Sequence, residues 1–165
     1  MKLYDDAYPD YLQVTTMMQT ITPQDFLGTE DGELSFAYAM SCENGQPAAD
    51  SLLAQLRTID LMGHAYNLRV MYNMIYIDQA ACDFTTRRLG LHRLRVACRS
   101  NLFDARAIMA QSPCRVSRMP DEQEELRKEW QGLGYRLIYH TTMPAVSMAE
   151  LDAYYHPETR SGFTR

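Results

Sequence analysis

Arginine is the residue with the most chemistry to offer in this sequence. Within one short stretch the chain carries Arg87, Arg88, Arg93, Arg95 and Arg99. A guanidinium presents a planar fork of donors that meets phosphate or carboxylate oxygens in pairs and stacks on flat rings. With a period of two, Leu94, Val96 and Cys98 alternate against Arg93, Arg95, Ala97 and Arg99, as in a strand. With the helical period, Arg88, His92, Arg95 and Arg99 share a face beside Leu91, Leu94 and Cys98. Either period gathers guanidinium groups on one side. The pattern therefore predicts a nucleic-acid-binding or nucleoprotein-binding face made of Arg87, Arg88, Arg93, Arg95 and Arg99.

The charge distribution frames that prediction. The net charge of -5 resolves into -8 over residues 1–60, +6 over residues 61–119 and -3 over residues 120–165, and every cation of the middle segment is Arg. Two outcomes follow from such a layout. The arginines form an open face for a polyanion, or the acidic flanks neutralise them inside the fold. The acids Asp5, Asp6, Asp10, Asp25, Glu30 and Asp31 support an alternative function, a protein-protein interaction module or inhibitor directed at a basic partner.

Other chemistry is sparse. Of the four histidines, His140 stands at the expected end of a strand beside Tyr139, Thr141 and Thr142, where a general acid or base is often placed. It is the weak catalytic candidate. Asp152 and His156 are four apart but lack a third ligand, and the cysteines make no C-x-x-C pair, so no metal is expected. The sequence contains no G-x-x-x-x-G-K-[ST] loop, G-x-S-x-G elbow or H-E-x-x-H helix, which disfavours nucleotide hydrolysis, α/β-hydrolase chemistry and zinc peptidase chemistry. No cofactor is expected.

Two partial family resemblances fall on the arginine segment. Thr86-Arg87-Arg88-Leu89-Gly90-Leu91 followed by Val96 resembles a helix-turn-helix, which implies a turn at Gly90 and a DNA-reading second helix. Arg99 falls where that second helix normally buries an apolar residue. Residues 89–96 with Asn101 resemble the strand-to-helix segment of GNAT-type acetyltransferases, which implies an acyltransferase with Asn101 approaching coenzyme A. That family's Gly-rich pyrophosphate loop is missing upstream, and Ser112-Pro113 replaces its Gly-Phe pair.

The elements that must hold these residues follow from periodicity and punctuation. Residues 12–21 and 33–40 read as strands, the second with Leu34, Phe36, Tyr38 and Met40 on one face. A helix over 47–62 stops at Gly63, and 65–78 alternates as a strand more than it repeats as a helix. Its tyrosines serve either the core or an aromatic platform. Pro120 opens a helix with acids in its first turns, Leu126 and Trp130 on its buried edge and a Glu124–Lys128 pair outside. A strand over 135–142 follows, then a short helix capped by Ser147 and Glu150.

These elements predict an α+β class, with one domain over 1–157, a small mainly antiparallel sheet against about four helices, and a loose tail over 158–165. At 165 residues, 46% hydrophobic and 22% charged, the chain has the composition of a globular protein with one core. The absence of a signal-like N-terminus, of a long apolar run and of a disulfide framework predicts a cytoplasmic protein with Cys42, Cys82, Cys98 and Cys114 as thiols.

Overall fold

Nine consecutive residues, Glu33–Ser41, form the strand on which the domain is built. From Ser35 onward every residue of this strand is buried, so both of its faces must be covered. Large side chains alternate with small ones to make that fit. Phe36, Tyr38 and Met40 fill one side while Ala37 and Ala39 admit a closely packed helix on the other.

The computed structural model describes residues 11–42, 45–79, 88–101 and 103–140. Four helices and six strands occur among them: α1 Tyr11–Ile21, β1 Phe26–Gly28, β2 Glu33–Ser41, α2 Gly45–Tyr66, β3 Leu68–Met71, β4 Ile75–Gln79, α3 Leu89–Ser100, β5 Ala107–Ala110, α4 Pro120–Gly132 and β6 Arg136–Tyr139. The sheet runs β1-β3-β2-β5-β6, with β4 also pairing with β2. Strands β3 and β4 lie along the same edge of β2, separated by a single 3-10 turn over Tyr72–Met74. The predicted strand over 65–78 is thus a strand broken in its middle, with Tyr76 in the core and Tyr72 partly exposed.

The sheet is mixed, not mainly antiparallel. Strand β2 is parallel to β3, β4 and β5, and β5 is parallel to β6, whereas β1 runs antiparallel to β3. Helices α2, α3 and α4 each link consecutive strands of the parallel core, and helical crossovers return the chain in the same direction. The step from β2 to β3 goes one way along the sheet. Those through α3 and α4 go the other way, so right-handed crossovers put α2 on one face and α3 with α4 on the opposite face.

Three further expectations change for physical reasons. Residues 12–21 are helical because Val14 and Met18, four apart, are the positions that become buried, while Thr15, Thr16 and Thr20 stay exposed. Gly63 does not end α2; it lies inside the helix because a Cβ there would sit 2.7 Å from the Gly28 Cα. The helix ends instead at Tyr66, with Asn67 at φ 53°. Around the α4 helix the reading from sequence holds for Leu126 and Trp130, both buried, but Glu124 pairs with Arg127 instead of Lys128.

Cys42, Cys98 and Cys114 are thiols. Residues 1–10, Arg87, Cys82, the capped helix at 147–150 and the tail at 158–165 lie outside the described residues. Among the described residues no helix is long and apolar enough to cross a membrane.

The Gly28–Gly63 contact yields a stability test. Gly63→Ala forces α2 away from β1 and should lower the unfolding free energy by about 2 kcal/mol, as overpacking of a tight core does. Urea unfolding would register this as a lower midpoint with an unchanged slope.

Candidate functional site

The carboxyl end of β4 delivers a carboxylate into the protein. Asp78 is buried, and it accepts hydrogen bonds from the backbone N–H groups of Gly90 at 2.7 Å and Leu91 at 2.9 Å. Those are first-turn donors of α3 that no residue of the helix itself can satisfy. The Tyr38 hydroxyl donates to the same carboxylate at 2.5 Å. Gly90 permits the approach, since a Cβ there would lie 2.5 Å from the Ile77 carbonyl oxygen. Burial, then the negative charge of Asp78, pushes the Tyr38 phenol well above its ordinary range.

Arg88 joins this network immediately before α3. Its guanidinium donates to Glu122 at 2.6 Å, to the Tyr38 hydroxyl at 3.1 Å and to the Val116 carbonyl, and its carbon lies 5.8 Å from the Tyr38 ring centroid. Farther along α3, Arg95 makes a bidentate pair with Glu129 and Arg99 donates to the same carboxylate at 2.6 Å. The fork from Arg95, followed by the Arg99 contact, holds the Glu129 carboxyl below the usual range.

The helical period is therefore the correct one for the arginine segment, and three of its arginines do share a flank. That flank faces α4. Arg88, Arg95 and Arg99 pair with acids spaced seven apart, and Arg93 occupies the other flank, half-buried. The five predicted residues are not brought together as one open row: Arg88 is nearly covered, Arg99 is half exposed, and Arg87 lies outside the described residues.

The helix also bears on the two family resemblances. Gly90 is the second residue of a continuous helix, so no helix-turn-helix turn occurs there. Residues 89–96 contain no strand, and Asn101 caps the far end of α3 at φ 50°, next to Tyr135. Tyr135 is held neutral by burial and donates to the Cys98 carbonyl at 2.9 Å.

A second constellation lies where β2 and β5 part. Their pairing stops at Ala37–Met109, yet β2 continues with β4 to Ser41 and β5 continues with β6 to Ala110. This is the switch point of the sheet, where successive crossovers leave in opposite directions and ligands of open parallel sheets characteristically bind. Gln55 of α2 fills the mouth of the fork. Its side-chain amide accepts from the Met40 N–H at 3.0 Å and donates to the Met40 carbonyl at 2.8 Å, taking the place of a missing strand neighbour. Arg115 donates to the same carbonyl at 3.4 Å from a 3-10 turn that follows β5.

Several reactive side-chain types converge on this edge. Ser41 and Cys42 end β2, Arg115 and exposed Arg118 follow β5, and the His140 N–H donates to the Gln111 carbonyl at 3.1 Å where β6 ends. Gln111 in turn donates to Thr58 of α2 at 3.3 Å. His140 is thus at the same edge as the fork, half-buried. The described residues contain no cluster of three or more His, Cys, Asp or Glu placed to hold a metal.

The comparisons with known proteins bear on the fold alone. No family model matches the chain and no curated protein is similar to it. Among the solved structures similar to it is the C-terminal catalytic domain of ISC1926 TnpA, an IS607-like serine recombinase. The likeness has a TM-score of 0.54 at 16% identity and covers 72% of this chain and 74% of that one. The shared property is the fold.

Sequence spacing missed Arg115 and Arg118. Both belong to the basic middle segment, but they carry no periodic signal. Their position just after the short apolar run Ala107–Ala110 becomes informative only when that run is recognised as a parallel strand beside the switch.

Two outcomes test the network. Asp78→Asn replaces an acceptor-only group by one that turns an N–H toward backbone donors, and should cost about 3 kcal/mol in urea unfolding. The second concerns alkaline pH. An unfolded tyrosine ionises near pH 10, whereas Tyr38 stays neutral in the fold, so its contribution is intact below about pH 10 and declines as pH rises further. Unfolding midpoints between about pH 8 and 11 should fall, with a shallower fall in Tyr38→Phe.

Proposed function

We propose that this domain engages nucleic acid along the carboxyl-terminal edge of its sheet, with Arg115 and Arg118 on backbone phosphates. The observation that carries the proposal is the fork between β2 and β5, flanked by a cationic segment without an acid from Gln111 to Pro120. A phosphodiester chain is a polyanion that guanidinium forks match in pairs. The fold likeness to the catalytic domain of a serine recombinase is compatible with the same reading.

The α3 arginines enter this reading with divided roles. Arg88, Arg95 and Arg99 are engaged by Glu122 and Glu129, while Arg93 lies half-buried on the other flank as an outer contact.

Fluorescence anisotropy with a labelled DNA duplex across a salt series tests the proposal. Wild type should bind at low salt with affinity that falls steeply as salt rises. Arg115→Gln and Arg118→Gln should each weaken binding and reduce the salt slope by about one. A double change of Arg93 and Arg99 to Gln should have a smaller effect. The reading is wrong if wild type shows no binding at low salt, or if both edge variants bind as wild type does.

A further inference from the structure

Resting on the reading of the carboxyl-terminal edge as a polyanion site, we propose that Arg88 is a positioning residue: it holds the segment that bears Arg115 and Arg118 in place without touching the polyanion itself. The guanidinium is ill suited to direct contact, since the side chain is 10% exposed and Glu122 offsets its charge at 2.6 Å. It is well suited to bracing. Its acceptors come from β2 through the Tyr38 hydroxyl, from α4 through Glu122 and from the loop after β5 through the Val116 carbonyl. Val116 lies between Arg115 and Arg118, so this bond sets the path of both cations.

The bracing extends further. Tyr38 is bonded to Asp78, and Asp78 holds the first turn of α3, so the loop is referenced to the buried centre of the sheet and not to solvent. A planar fork reaches three acceptors in different directions. A lysine ammonium at the end of a flexible stem preserves the charge but cannot span the same set.

Arg88→Lys separates these roles through two measurements. Hydrogen exchange followed by mass spectrometry should show faster exchange across residues 113–119, with α2 unchanged. In duplex binding, affinity should fall about tenfold at each salt concentration while the salt slope stays at its wild-type value, because no phosphate contact is lost. Tyr38→Phe, which removes one acceptor of Arg88 with no change of charge, should act in the same direction. Unchanged exchange over 113–119 in Arg88→Lys overturns the proposal. A slope reduced by about one in Arg88→Gln, as in Arg115→Gln, also overturns it by making Arg88 a direct contact. If wild type binds no duplex, the nucleic-acid reading falls alone, and the exchange measurement still decides whether Arg88 holds the loop.

Discussion

A buried carboxylate organises one half of this domain. Asp78 sits at the end of β4, where a charge inside the protein is tolerated only when its oxygens are fully engaged. Two backbone N–H groups of α3 and the Tyr38 hydroxyl provide that engagement. The requirement is mutual. The helix start needs an acceptor for its unpaired donors, and the carboxylate needs donors, so strand β4 and helix α3 fix each other's position. Gly90 is the steric condition for this arrangement, because any side chain at that position would press against the Ile77 carbonyl.

From that point charge is passed outward in alternating signs. Asp78 is followed by Tyr38, then Arg88, then Glu122, and one helical repeat further along by Arg95, Arg99 and Glu129. Three arginines of the basic middle and two acids of α4 thus form a seam between two helices on one face of the sheet. An excess of positive charge survives beyond the seam, in the loop after β5, where no acid lies among residues 111–120. The functional reading rests on that remainder and not on the arginine count.

The sequence made some of this legible and withheld the rest. Strand β2 and helix α4 are readable because each has an uninterrupted pattern: Leu34, Phe36, Tyr38 and Met40 in one case, Pro120, the early acids and Leu126 with Trp130 in the other. Residues 12–21 mislead because threonines favour strands locally, while the burial of Val14 and Met18 is a tertiary fact. The parallel sheet is hidden because periodicity reports which side of a strand is apolar and says nothing of its neighbours. The edge that bears Arg115 and Arg118 is hidden for the same reason, since only the strand order defines a fork. The arginines of α3 had the opposite fault: their spacing was conspicuous, but the residues that neutralise Arg88, Arg95 and Arg99 lie some thirty positions away in sequence.

Both layers covering the sheet are joined to it through a buried carboxylate that accepts from backbone N–H groups. Helix α2 meets β1 at Gly63 and Gly28, and Asp60 of the same helix accepts from the Gly28 N–H at 2.7 Å. The α3–α4 cover adds ion pairs between its own helices, of which the Arg99–Glu129 contact is the most exposed and so the most screened by salt. The loop after β5 hangs from Arg88 at one end of that seam, so its anchorage and the pairing of the two helices share one guanidinium.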